Sequence, residues 1–330
     1  MVEKKQNIDN VEEAQVVKMI ETMDTVEIDP DEFKILGIDE NQGEVISRPK
    51  VGYFKDAWRR FKQNKIALAA FGILVILIVM VIIGPSLSGY DYEAVDKTAR
   101  NLAPCAEHWF GTDKLGRDLF ARVWVGGRVS IIIGITGALI STIIGCIYGG
   151  IAAYFGGKVD TIMMRIVEVF ISIPYLIVVI LMSILLDSKS MGTLILAMVM
   201  TGWCGMARLV RGQMLQIKSE EYILAAKAMG VSPFTIVTKY MIPNTISVVI
   251  VSITFDVPGY IFSEAFLSYM GLGIQAPGTS WGALANAAQS VFTHYPYQLF
   301  IPALMIALTM LAFTLMGDGL RDALDPKLRK

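Results

Sequence analysis

The sequence predicts an all-α membrane protein of six transmembrane helices with both termini in the cytoplasm. Three observations carry this. The 330 residues are 54% hydrophobic and only 18% charged, whereas soluble domains carry about a quarter charged residues. The apolar runs are continuous rather than alternating, and each approaches the roughly 20 residues that a helix needs to cross about 30 Å of hydrocarbon. A helix satisfies its own backbone hydrogen bonds, so helices are expected in place of a barrel. Finally, lysine and arginine are unevenly placed: with the N-terminus inside, the cytoplasmic segments from Lys50 onward hold 17 basic residues and the outer ones seven. The first outer loop, Lys97 to Arg128, blurs this bias with six of its own, but the stretch Gly271 to Gln298 has none, which settles the expected orientation.

Taken in order, residues 1–47 hold thirteen acidic and four basic side chains, and residues 1–50 are expected to form a largely disordered cytoplasmic arm. Within it, Ile28 to Leu36 is a possible docking segment. Tyr53, Phe54, Ala57, Trp58 and Phe61 recur at helical spacing, with Lys55, Arg59, Arg60 and Lys62 on the opposite face. This predicts an interfacial helix within 51–65 that feeds the first span. The expected spans, within a transmembrane domain over 66–330, are Ile66–Ile83, Val129–Phe155, Val167–Leu186, Met191–Ala207, Ile246 to about Met270, and Leu299–Met316. The outer loop 86–128 carries a second amphipathic run, Leu119, Phe120, Val123 and Trp124, expected on the outer leaflet or as a cap on the bundle. Gly134, Gly137, Gly145, Gly149 and Gly150 in the second span predict close helix contacts. No cleavable leader is expected, because the first apolar run starts only after 65 largely polar residues and is long enough to stay as an anchor.

Between the fourth and fifth spans, residues 213–244 read as a helical hairpin on the cytoplasmic side. Ser219 can cap a first helix whose opening turn carries Glu220 and Glu221, and Gly230 supplies the left-handed residue that stops it. Ser232 can cap a second short helix with Pro233 in its first position, and Pro243 limits that helix because it has no amide hydrogen.

The chemistry-bearing motifs of enzymes do not occur. A phosphate-binding G-x-x-x-x-G-K-[ST] loop fails at Gly157-Lys158, since Val159 follows and Ala152 stands where the first glycine is required. No His-Glu-x-x-His zinc-protease motif occurs. The only histidines, His108 and His294, lack a second ligand at metal spacing, so no metal site is expected. Cys105, Cys146 and Cys204 are scattered and give no disulfide framework. Glu168, Asp256 and Glu264 fall inside spans, where a lipid-facing charge costs roughly 2.5–3.5 kcal/mol, so all three must face protein or water. Glu168 is expected to pair with Arg165. Asp256, beside Pro258 and Gly259, and Glu264 are candidates for a substrate pathway wall, with structural pairing as the alternative for each.

Four ordered blocks now narrow the reading. Ala225-Ala226-x-x-x-Gly230, followed after nine residues by Tyr240-Met-Ile242-Pro243, is similar to the Glu-Ala-Ala-x-x-x-Gly loop of ATP-binding-cassette importer permeases, with Leu224 in place of the glutamate. The others are Phe110 to Asp118, Glu264 to Gly273 leading into Ser280-Trp-Gly282, and Gly317 to Pro326. Together they resemble the C-type permease subunit of the oligopeptide/dipeptide transporter family over about Gly52 to Lys330. The resemblance implies the type I importer permease fold and a place in the bacterial cell membrane, with no catalytic residues and no cofactor of its own. ATP and magnesium would belong to two partner ATPase subunits. Further implied partners are a homologous second permease, an extracellular peptide-binding protein and membrane lipid; nucleic acid is not among them. The hairpin would be the coupling element, placing Glu221, Ala225, Ala226, Met229, Gly230 and Pro243 at the ATPase contact. Gly111, Asp113, Arg117 and Asp118 are the candidate contacts for the binding protein, or simply a well-formed turn. Nickel complexes and glutathione stay open as cargo. An ion-coupled secondary transporter, with Asp256 and Glu264 as its relay, is the reading from a different class.

Overall fold

The computed structural model describes residues 53–186, 188 and 190–324. The acidic arm and its Ile28 to Leu36 segment lie outside the described residues. The regular structure of the described residues is helical, with one isolated bridge between Thr112 and Asp118 inside the irregular stretch 88–118. In chain order the helices are α1 Tyr53–Gln63, α2 Lys65–Leu87, α3 Leu119–Phe155, α4 Gly157–Ser172, α5 Tyr175–Leu185, α6 Met191–Lys218, α7 Glu221–Ala228, α8 Ile242–Tyr269, α9 Trp281–Ala288 and α10 Tyr297–Leu324. A single turn, Pro233–Thr235, and a π-helical stretch, Ile236–Met241, run directly into α8, so Pro233–Tyr269 forms one long span. Among the described residues, five helices are long and apolar enough to cross a membrane, and six spans result if the bent pair α4–α5 counts as one.

That bend corrects the expected third span. Val167 to Leu186 is not one rod, because α4 and α5 meet at 83°. The cause lies in Pro174: the residue before a proline avoids helical backbone, and Ile173 takes φ −79° and ψ 123°. Two other boundaries also move. The helix expected to end at Ala207 continues to Lys218. The run Leu119, Phe120, Val123 and Trp124 is not a surface element; it is the buried start of α3, with Phe120, Val123 and Trp124 clustered with Leu77, Val81, Trp281 and Leu284. Asp118 caps this helix by accepting from the Ala121 amide at 2.7 Å. Asn64 does the same for α2, accepting from Ile66 and Ala67 and separating α2 from α1. On α1, Ala57 and Phe61 sit against α10 and α2, while Trp58 stays half-exposed with Lys62 over its ring.

The central helix is α3. A Cβ placed on Gly149 would stand 2.3 Å from the Ala207 carbonyl oxygen, and one on Gly145 2.6 Å from the Met206 Cβ, so α3 and α6 touch backbone to backbone. Higher up, Gly134 and Gly137 receive Ile261 and Tyr260 of α8. Gly150, by contrast, would meet only the Met214 sulfur at 3.6 Å. One further device was not legible in the sequence. Pro85 inside α2 cannot donate to the Val81 carbonyl, and Arg128 of α3 supplies the missing bond at 3.1 Å.

Candidate functional site

Hairpin residues divide sharply by exposure. Ile223 and Ala226 turn inward and are buried, Ile223 joining Ala153, Met206, Val210, Met214, Ile236 and Met241 in one cluster. Outward stand Glu221, Ala225 and Gly230, together with Leu224 at 52%, Met229 at 77% and Phe234 at 76% exposure. Of the six expected coupling residues, Ala226 is therefore an anchor, 3% exposed, and the other five, Pro243 included, lie at the surface. Leu224 and Phe234 were missed as tip residues. Phe234 carried a signal, an aromatic directly after a helix-initiating Ser-Pro and outside the apolar runs.

The hairpin is stiff for identifiable reasons. Gly230 takes φ +76°. Its amide donates to Lys227 O and that of Val231 to Ala226 O, a paired arrangement that closes the end of α7. Ser232 accepts from the Thr235 amide at 3.2 Å, as expected. Ser219 departs from expectation. It ends α6, its hydroxyl donating to the Gln216 carbonyl, and α7 starts after Glu220 with no side-chain cap. The Tyr222 phenol is held above its ordinary pKa by burial and by nearby Glu220. Pro243 does not end a second helix; the preceding π-helical stretch carries the chain into α8. Two polar ties fix the base. Lys218 Nζ donates to the Ala153 and Tyr154 carbonyls at the end of α3, where a cation complements the helix dipole. Arg211 of α6 makes two bonds of 2.6 Å to Asp160 in the first turn of α4. Residues 51 apart in sequence gave no hint of that pair.

The expected pathway carboxylates separate. Glu264 is 0% exposed. Ser130 of α3 and Ser268 of α8 each donate a hydroxyl to it at 2.7 Å. Ser130 in turn accepts from the Trp281 amide, and Ser280, which caps α9, leans on Ser268 at 3.4 Å. In this structure the carboxylate ties α3, α8 and α9 together and reaches no open surface. Asp256 is half-buried and has no hydrogen bond or ion pair to any described residue. Glu168 pairs with Arg165 at 2.7 Å, both exposed.

The four residues considered for an external contact all turn into their own loop. Gly111 has φ +75°, and a Cβ there would stand 2.4 Å from the Leu102 carbonyl oxygen. Asp113 accepts from Arg117 Nε at 2.7 Å and from the Leu115 and Arg117 amides. Asp118 accepts from His108 Nδ1 at 2.9 Å besides capping α3. All four are buried, so they shape the loop and Lys114 and Leu115 form its surface. Elsewhere in the loop, the hydroxyl and amide of Thr98 donate to Asp96 and hold its carboxyl below the usual range. Gln298 and Tyr297 at the start of α10 bond to Thr112, Asn101 and Leu102, pinning the loop to the bundle.

Comparison with known proteins gives a consistent picture. The family model described as "Binding-protein-dependent transport system inner membrane component" matches residues 141–330. The "N-terminal TM domain of oligopeptide transport permease C" matches residues 52–104. The chain is 51% identical over 303 residues, 91% of its length and 94% of the relative's, to the dipeptide transport system permease protein DppC of Bacillus subtilis (strain 168). It is 45% identical to the oligopeptide transport system permease protein OppC of the same organism, over 90% of this chain and 97% of that one. The glutathione transport system permease protein GsiD of Escherichia coli O6:K15:H31 (strain 536 / UPEC) is 39% identical, over 82% of this chain and 90% of that one. A solved structure described as inward facing conformations of the MetNI methionine ABC transporter covers 62% of this chain and 94% of its own, with TM-score 0.51 and 19% identity. That likeness speaks to the fold alone.

Proposed function

Because the chain belongs to the family of binding-protein-dependent transport system inner membrane components, we propose that it is the C-type permease subunit of an ATP-driven importer of dipeptides or oligopeptides. It is a multi-pass protein of the bacterial cell membrane and a permease rather than a catalyst. Its termini and hairpin face the cytoplasm, in keeping with the 17 basic residues from Lys50 onward on that side against seven outside. Two ATPase subunits hold the ATP and magnesium, a homologous second permease completes the pathway, and an extracellular binding protein delivers the peptide at the outer loops.

The observation that carries this reading is the hairpin. A rigid knob hung between α6 and α8 exposes Leu224, Met229 and Phe234, an apolar tip that a water-facing loop does not need and a cleft in a soluble motor would cover. Its base is bonded to α3 and packed on α6 and α8, and Arg211 links α6 to α4. A push on the tip therefore reaches four membrane helices. Coupling of this kind is reciprocal, so if nucleotide binding inside changes the affinity for peptide-bound binding protein outside, docking outside must change the affinity for nucleotide by the same factor. The test is uptake of labelled dipeptide by the reconstituted four-subunit complex with its binding protein. Uptake is expected to stop without nucleotide and to survive a collapsed proton gradient. Uptake that needs the gradient and ignores nucleotide would establish the secondary transporter instead. Glutathione and nickel complexes, offered in the same assay, resolve the cargo.

A further inference from the structure

Two stripes of small and polar residues run along the same side of α6 and α8. The face of α6 against α3 is filled by Trp203, Met206, Ala207, Val210 and Met214. Its edge toward α8 is marked by Gly202, over which the Tyr260 ring lies, and by Leu209 and Gln213, which share a cavity of about 470 Å³ with Ser247 and Ser252. What remains, opposite α3, is Thr201, Gly205, Arg208 and Gly212 at helical spacing. Nothing lies within 4 Å of a Cβ built on Gly205 or Gly212, so the surface around Arg208 is open. On α8, Ser252, Asp256, Gly259 and Ser263 repeat that spacing on the side turned away from α3, and Gly259 is likewise open.

The two stripes carry opposite charges that no other described residue pairs. Arg211, three residues beyond Arg208, is held by Asp160, whereas Arg208 is exposed and bonded to no described residue. Asp256 is likewise without a bond. Gly202 against Tyr260 and Leu209 beside Ser252 set the pairing of these antiparallel helices. By that pairing Arg208 falls at the level of the turn Ser252–Asp256 along the helix axes. A charge on a membrane helix is retained where it meets water or a counter-charge, and here one of each sign stands on a wall cleared of bulky side chains.

We propose that Arg208 and Asp256 form a transit site for the charged ends of a peptide, the guanidinium receiving the α-carboxylate and the aspartate the α-ammonium. The proposal rests on the peptide-import reading and adds to it the residues that hold the cargo and the chemical class they select, a short zwitterion. Arginine suits the carboxylate because its planar fork donates two parallel bonds, and the neighbouring glycines let peptide backbone approach.

The test uses the complete transporter in nanodiscs without its binding protein, so that only the membrane site is read. Binding of a radiolabelled dipeptide is competed by the same dipeptide free, C-terminally amidated or N-acetylated. For the unaltered transporter, only the free dipeptide is expected to compete fully. Arg208→Gln should weaken binding by about tenfold or more, the scale of a charge-assisted bond, and abolish discrimination against the amide. Asp256→Asn should abolish discrimination against the acetylated peptide, and Arg208→Lys should fall between. Unchanged affinity and discrimination in both variants would overturn the site, as would absence of any saturable binding by a complex that imports peptide once its binding protein is restored. Dissociation of the two permeases in Arg208→Gln, seen by size-exclusion chromatography, would overturn it too, by making Arg208 an interface residue. A complex that imports no peptide even with binding protein would instead refute the import reading.

Discussion

Gly230 offers a clean separation between backbone geometry and surface contact. It has φ +76°, and a Cβ built on it meets nothing within 4 Å, so a substitution is not resisted by any neighbour in this chain. The cost is conformational: an L-residue held in left-handed backbone loses about 1–2 kcal/mol, the upper end for a branched side chain. A loss of that size biases the equilibrium against the native hairpin by about 5- to 30-fold. Gly230→Val is therefore expected to cut peptide uptake, by at most that factor through loss of the native hairpin. Gly230→Asn should retain most of it, since asparagine tolerates this conformation and is an accepted helix terminator. The assay is uptake alongside ATP hydrolysis in the same proteoliposomes, and the Val variant should hydrolyse ATP without proportionate uptake. If Gly230→Asn failed as badly as Gly230→Val, the need would be for bareness at a docking surface and the backbone argument would be refuted.

Other expectations follow from the packing. Glu264→Ala strands two buried hydroxyls and should destabilise the protein by about 3–5 kcal/mol, against about 1–3 for Glu264→Gln; thermal aggregation in detergent measures this, with uptake falling in step. A Gln variant of full stability and no uptake would contradict the purely architectural role. Gly149→Leu drives a side chain into the Ala207 carbonyl at 2.3 Å and should cost at least about 1–3 kcal/mol through separation of α3 from α6. Gly150→Ala, one residue on, should be silent, and equal effects at the two positions would contradict the backbone contact.

The sequence revealed the helices and the hairpin because hydropathy runs, Gly230 and the Ser232-Pro233 pair act locally. It mispredicted where the decisive influence came from a neighbour or from an overlooked proline. Leu119 to Trp124 are amphipathic when read alone, yet Phe120, Val123 and Trp124 pack in one cluster with residues of α2 and α9. Pro174 sat inside an apolar run whose composition masked the break. Ala226 matched a motif whose spacing could not tell the inward alanine from the outward Ala225. Glu264 shows the same limit: the three serines that enclose it come from α3, from α8 and from the cap of α9, and only the folded chain brings them together.

The central claim is that the tip of this hairpin seats in a nucleotide-hydrolysing partner. Single cysteines at Ala225 and Ala226, in a background without Cys105, Cys146 and Cys204, test it by cross-linking to cysteines around the cleft of the ATPase subunit. The outward Ala225→Cys should cross-link in a nucleotide-dependent manner, and Ala226→Cys, 3% exposed as alanine, should not. Failure of Ala225→Cys to react in an assembled, transporting complex, or equal reaction from both positions, would contradict the account.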